Sequence, residues 1–176
     1  MEIFLAVLVV IAAIIALILI ASIFMRKDYM IQREITINAP LPKVFDYIKL
    51  LRNQDYFNKW VMVDPNMTRE FKGTDGTVGF IYAWNGNKRA GAGEQEIKRI
   101  IDSNSIETEI RFVRPFPGVA KANISARTIA DNQTSVTWIN ASTMIWPMNL
   151  LLPMIEKALA KDMDESLGNL KRILEA

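Results

Sequence analysis

The stretch from Pro147 to Leu174, PMNLLLPMIEKALAKDMDESLGNLKRIL, decides the fold. Its apolar residues Ile155, Leu159, Met163, Leu167, Leu170 and Leu174 recur at steps of three and four. That spacing puts one apolar stripe on a helix of period 3.6. Glu156, Lys157, Lys161, Asp164, Glu165, Lys171 and Arg172 fall mostly on the other side. Pro153 has no amide hydrogen to donate, so it belongs in the first turn of the helix or at a kink. A helix with a single stripe must bury it against another layer.

The chain ahead of it reads as the strands that supply that layer. Ile31, Arg33, Ile35 and Ile37 alternate with Gln32, Glu34 and Thr36. Asn38-Ala39-Pro40-Leu41-Pro42 then stops the strand and starts a helix, with Asn38 as candidate cap and Val44, Phe45, Ile48 and Leu51 as its apolar face. A second short helix is expected over Asn53–Trp60 and a short strand over Thr68–Phe71. Val78, Phe80, Tyr82 and Trp84 alternate with Gly79, Ile81 and Ala83 and run into Asn85-Gly86, the strongest short signal for a type I′ hairpin. The return strand is expected from Lys88 to about Ile101, followed by a turn at Asp102-Ser103-Asn104-Ser105. Ile106, Thr108, Ile110 and Phe112, then Ala120, Ala122, Ile124 and Ala126, then Val136, Trp138, Asn140, Ser142 and Met144 each mark one face of a further strand. Consecutive antiparallel strands of this kind form a curved sheet with one dry face. The long helix is expected to fill its concave side.

Residues 3–25 contain no charged side chain, and about 20 apolar residues suffice to cross a bilayer as a helix. The run exceeds the 7–15 residues or so of a cleavable signal's apolar core and lacks a basic start, so it reads as a retained anchor. Arg26 and Lys27 follow it and no Lys or Arg precedes it, which places the rest of the chain in the cytoplasm of a single-pass protein of the cell membrane. The expected division is residues 1–28 as anchor with its basic flank and 29–176 as one α+β domain. The net charge of +2 offers no field for nucleic acid. With no Cys and no His, disulfides, imidazole bases and the usual metal sites are excluded. Gly73, Gly76 and Gly79 are not a phosphate loop, since no Lys-Ser/Thr follows. The residues therefore point to no metal and no cofactor.

The ordered set Ile35–Pro40 with Val44–Ile48, Trp84–Asn87 with Gly91-Ala92-Gly93, Pro115-Phe116 with Ala120–Ala122, and Thr134–Trp138 resembles the START-like (SRPBCC) superfamily, in particular its polyketide cyclase/dehydrase and lipid transport branch. The resemblance covers roughly residues 30–174. It implies a helix-grip fold with a cavity between sheet and long helix that holds a hydrophobic ligand. It brings no catalytic motif.

Phe80, Tyr82, Trp84, Phe112, Trp138 and Met144 from the strands, with Ile155 and Leu159 from the helix, are the residues expected to bind that ligand. Small residues facing them, Gly91, Gly93, Ala120, Ala122 and Ala126, either leave volume for a ligand or let the helix pack close. Polar groups on these faces are few: Tyr82, Gln95, Thr108, Asn140 and Ser142. The expected cavity is closed and apolar, and its occupant a lipid or other hydrophobic small molecule. An enzyme acting on a lipophilic substrate is the alternative; Tyr82 or an inward carboxylate would have to supply its chemistry. A ligand-free interaction module with a filled core is the other. Glu94 with Glu96, Glu107 with Glu109, and Asp162, Asp164 and Glu165 on the helix are expected to face solvent. Trp60 and Trp146 are expected at a rim, lining the cavity mouth or meeting the bilayer interface.

Overall fold

The alternating stretches pair into one seven-stranded antiparallel sheet in the computed structural model, which describes residues 1–101 and 104–176. In chain order the elements are α1 (Glu2–Ile23), β1 (Asp28–Ile37), α2 (Leu41–Ile48), the one-turn helices α3 (Gln54–Phe57) and α4 (Lys59–Met62), β2 (Thr68–Lys72), β3 (Ile81–Asn85), β4 (Ala92–Ile101), β5 (Ser105–Arg114), β6 (Gly118–Ala130), β7 (Gln133–Thr143) and α5 (Leu152–Glu175). The sheet order is β1-β7-β6-β5-β4-β3-β2. The meander therefore runs from the β2 edge to β7, and β1 closes the far side by pairing with β7, Ile31 opposite Asn140 and Ile37 opposite Thr134. This is the helix-grip arrangement, with α5 gripped by a curved sheet.

The long helix is built as its periodicity predicts. Pro153 occupies its first turn, where the missing amide hydrogen leaves no bond unmade. Met163, Leu167, Leu170 and Leu174 are buried among Ile37, Val44, Phe45, Ile48, Phe57, Val136 and Trp138. Each such side chain contributes about 1.5–3 kcal/mol by leaving water. Ends are tied across the fold: Asn38 N donates to Glu175 Oε1 at 2.6 Å, and Lys171 Nζ to the Thr36 carbonyl at 2.7 Å. Asn38 is thus not the cap of α2, which starts after Pro40 without a side-chain cap.

The β3–β4 connection departs from expectation. Neither Asn85 nor Gly86 has positive φ, so no type I′ turn forms there. The loop instead spans residues 86–91 and is organised by two acceptors. Asp64 Oδ2 takes the Asn87 amide at 2.7 Å, and Asn87 Oδ1 takes the amides of Arg89 and Ala90 at 2.8 and 3.1 Å. The positive φ, +67°, falls on Gly91, where an added Cβ would lie 2.3 Å from the Arg114 carbonyl oxygen. The return strand consequently starts at Ala92 rather than Lys88. A register shift between Ile97 and Arg99 then reverses the inward phase, so Ile100 packs on the core and Ile101 is exposed. The turn expected after it falls partly on Asp102 and Ser103, outside the described residues.

On the convex face the acidic pairs meet a cation. Arg111 donates to Glu94, Glu96 and Glu109 at 2.7, 2.8 and 2.6 Å. These bonds hold the guanidinium pKa far above its ordinary value, and Arg111 with Lys98 lowers that of Glu96. The carboxylates lie outside the cup, as their alternation predicts.

Candidate ligand-binding site

The two halves of α5 do different things. Its C-terminal half is seated on the core, while the helix as a whole packs mainly against β1. Space therefore opens between its N-terminal half and the more distant strands β3–β5. There a cavity of about 580 Å³ is bounded by α3 and α4, by Leu159 and Asp162 of α5, and by the sheet. The sheet contributes Tyr82 and Trp84 from β3, Gln95 from β4, Ile110, Phe112 and Arg114 from β5, Asn140 from β7 and Tyr29 from β1.

Of the residues expected to bind ligand, Tyr82, Trp84, Phe112 and Leu159 line this space. Phe80 does not: it is fully buried and stacks on Phe71 with ring centroids 6.2 Å apart. Trp138 lies in the core beneath Trp60, 5.6 Å centroid to centroid, and edge-on to Phe57. Met144 falls just past the end of β7, its amide bonded to the Lys27 carbonyl at 2.9 Å, and Ile155 is half-buried in the first turn of α5. Neither lines the cavity.

The cavity is neither closed nor uniformly apolar. Val63, Arg89, Phe112, Arg114 and Pro115 are exposed at its mouth. Across its floor runs a hydrogen-bonded chain. Asn58 donates to Gln54 at 2.8 Å, Gln54 to Gln95 at 3.2 Å, and Gln95 to Thr108 at 2.9 Å. Below Gln54 and Gln95 a further void of about 10 Å³ is at the lower limit for one water. Asn140 is 5% exposed, and its Oδ1 has no hydrogen-bond partner. An unmatched buried acceptor costs about 1–3 kcal/mol, and Asn140 carries that cost beside the cavity wall.

A charged cluster supports the β3 wall. Tyr82 Oη donates to Asp55 Oδ1 at 2.5 Å, and Arg69 Nε donates to both at 3.0 Å. Burial first, then the bond to Asp55, pushes the Tyr82 hydroxyl far above its ordinary value. At the α4–α5 rim, Trp60 Nε1 donates to Asp162 Oδ2 at 3.1 Å, and Lys59 pairs with Asp162 and Glu165. The hydrogen bonds to Glu165 and then Asp162 raise the Lys59 pKa. Asp162 is therefore a rim residue, not a solvent-facing one. Gln54, Asp55 and Lys59 come from one-turn helices with no apolar period and Asn58 from the residue between them, and nothing in the sequence singles them out. Among the described residues no cluster of His, Cys, Asp and Glu suited to a metal ion occurs.

No sequence-family profile and no curated protein matches the chain. Solved structures do. Truncated norcoclaurine synthase from Thalictrum flavum superposes with a TM-score of 0.63 at 11% identity, over 86% of this chain and 97% of that one. The di-domain aromatase/cyclase BexL of the BE-7585A biosynthetic pathway gives 0.62 at 12% identity, over 85% of this chain and 50% of that one. The fold is START-like. A hypothetical protein of Helicobacter pylori, with a TM-score of 0.64 at 9% identity over 84% of this chain and 89% of its own, shares it. The START-like (SRPBCC) resemblance of the sequence is thereby matched in three dimensions, and the chain adds to that fold an N-terminal helix long and apolar enough to cross a membrane.

Proposed function

We propose that this protein holds an amphipathic, largely hydrophobic small molecule or lipid in the α5–sheet cavity, and that α1 anchors it to a membrane. The observation that carries the reading is the cavity itself. Its size falls within the usual range of about 300–1,000 Å³ for ligand sites, and its lining combines apolar walls with a few placed polar groups. Trp60, Trp84, Ile110, Phe112 and Leu159 suit a hydrocarbon body. Gln54, Asn58, Gln95 and Asn140 are the polar side chains on that lining that suit a ligand's polar group. Arg26 and Lys27 beyond the anchor favour a cytoplasmic domain.

Mass spectrometry of molecules released from full-length protein purified in mild detergent tests this. The wild type should release one class of lipophilic compound, and Leu159→Glu, which sets a charge in the wall, should release little of it. Equal recovery from both would overturn the reading.

Catalysis is the second reading, favoured by Tyr82 and Asp55 at the cavity and by the synthase and cyclase that share the fold. The pKa directions argue against it. A general acid or base works best near the ambient pH, and Tyr82 is driven away from it. A nucleophilic lysine needs a lowered pKa, and Lys59 has a raised one. Incubating the extracted compound with wild type and Tyr82→Phe should return it unchanged from both; conversion that depends on Tyr82 would establish the enzyme.

A further inference from the structure

The end of α1 and the mouth of the cavity lie at the same end of the sheet. β1 starts at Asp28, opposite Thr143 at the end of β7. Across the sheet Ser142 pairs with Ala120, Gly118 with Phe112, Arg114 with Ala92, and Ala92 with Asn85. The connections 86–91, 115–117 and 144–151 therefore all leave from the end at which the chain arrives from α1. Tyr29, next to that arrival point, lines the cavity together with Arg89, Arg114 and Pro115.

The helix is also clasped there. Ser22 is fully buried although it belongs to the last turn of α1. Trp146 Nε1 donates to its Oγ at 2.8 Å, and Asn149 Nδ2 to its carbonyl at 2.7 Å. Arg26 pairs with Glu156 on α5. A helix of 22 residues is about 33 Å long, close to the roughly 30 Å of a hydrocarbon core. With α1 across a bilayer, Ser22 stands at the headgroup boundary and holds residues 145–149 at that level.

The chemistry of this end suits the boundary. Phe116, Ile145, Trp146, Leu151 and Met154 are exposed apolar side chains. Lys27, Lys88, Arg89 and Arg114 are exposed beside them, and none forms an ion pair among the described residues. At the opposite end Lys49 pairs with Asp46, Arg52 with Asp75 and Arg127 with Glu34, while Lys43, Lys72 and Arg172 form no ion pair among the described residues. Apolar side chains ringed by unpaired cations are the composition that settles on anionic lipid.

We infer that the domain lies mouth-down on the anionic leaflet from which α1 emerges, with Phe116, Trp146 and Met154 among the headgroups and Arg89 and Arg114 on their phosphates. The ligand then passes between leaflet and cavity without crossing water. The route rests on the ligand reading above, and the orientation on the α1 anchor proposed there together with the geometry and charge of this end.

The chain has no cysteine, so single reporters can be placed cleanly. Phe116→Cys, Met154→Cys and, in the β6–β7 turn at the far end, Asp131→Cys are each labelled with an environment-sensitive fluorophore. The full-length proteins are reconstituted in phosphatidylcholine/phosphatidylglycerol nanodiscs containing brominated acyl chains. The labels at 116 and 154 should shift to the blue and be quenched several-fold more than the label at 131. Arg89→Glu with Arg114→Glu should reduce quenching at 116 several-fold. A label at 116 as wet as that at 131 overturns the orientation. A label at 116 that is dry yet unquenched by bromolipid marks a protein partner or second copy and overturns it equally. If wet labels accompany a protein that still releases its lipophilic compound, the ligand reading survives alone. If quenched labels accompany a protein that releases none, only the orientation survives.

Discussion

Asn140 is the residue at which stability and ligand binding pull apart. Its Oδ1 is buried without a partner, a state that costs the empty protein about 1–3 kcal/mol. Leu is close in volume and asks for no hydrogen bond. Asn140→Leu should therefore raise the melting temperature of the ligand-free protein by a few degrees, the response expected for about 1 kcal/mol in a domain of this size. The same variant should release less of the lipophilic compound than wild type, because Asn140 is one of the few polar side chains lining the cavity. Thermal unfolding in detergent, run beside the extraction, checks both halves; a lower melting temperature would show that Asn140 is satisfied within the protein. Gly91 makes a different demand. With φ at +67° and the Arg114 carbonyl 2.3 Å from a would-be Cβ, Gly91→Ala must displace the β4–β5 ladder at its end. Gly118 has nothing within 4 Å of an added Cβ and no positive φ. Gly91→Ala should cost about 1–3 kcal/mol, and Gly118→Ala should be near neutral, in a denaturant titration of the two.

At the level of elements, the helix and the strands divide the work in ways that can be read separately. Leu170 is fully buried on α5, and Leu170→Ala should cost about 2–5 kcal/mol. Leu159 is only half-buried, at the cavity wall, so Leu159→Ala should cost less than half of that and act mainly on ligand retention. On β4 and β5 the Arg111 cluster sets an acid limb. Glu96 has a folded pKa below its unfolded value near 4.5, held there first by Arg111 and then by Lys98. A lowered carboxylate contributes above about 4.5 and loses that contribution as pH falls through the folded value. Arg111→Met should thus destabilise most at neutral pH, and the gap from wild type should close as pH drops below 4.5; a gap independent of pH would assign the loss to packing. The elements with unbroken period were the legible ones: the 155–174 stripe of α5, and β5, β6 and β7 with their inward faces. The rest failed for identifiable reasons. Asp64, distant in sequence, overrode the Asn85-Gly86 signal through its bond to Asn87. The bulge near Lys98 reversed a phase that alternation alone carries straight on. In the cavity, Tyr82, Trp84, Phe112 and Leu159 were reachable from strand and helix period. Gln54, Asn58 and Lys59 were not, because two one-turn helices and the residue that joins them leave no period to read.

For the whole molecule, the membrane reading proposed above divides into an α1 that only tethers the domain and an α1 that also aims it. A flexible tether alone keeps a module at an effective concentration of the order of millimolar near its target. Retention at the membrane should then survive any change in the linker that leaves α1 intact. Aiming is more demanding, because it needs the clasp of Ser22 with Trp146 and Asn149 and the short run from Phe24 to Lys27. Inserting ten Gly/Ser residues or so between Met25 and Arg26, together with Trp146→Ala, should remove the aim and leave the tether, since Gly/Ser chains behave as flexible coils. The cavity walls are untouched by either change, so equilibrium binding of a pyrene-labelled fatty acid in detergent should match wild type. If the mouth must meet the leaflet, transfer of the same fatty acid from donor vesicles into the nanodisc-bound variant should slow several-fold. Equal transfer rates with equal loading would mean that proximity suffices and that the clasp serves stability alone. A loss of loading in detergent would instead show that the ends of α1 and α5 help shape the cavity, since Trp146 precedes the helix that carries Leu159 and Asp162 into its wall.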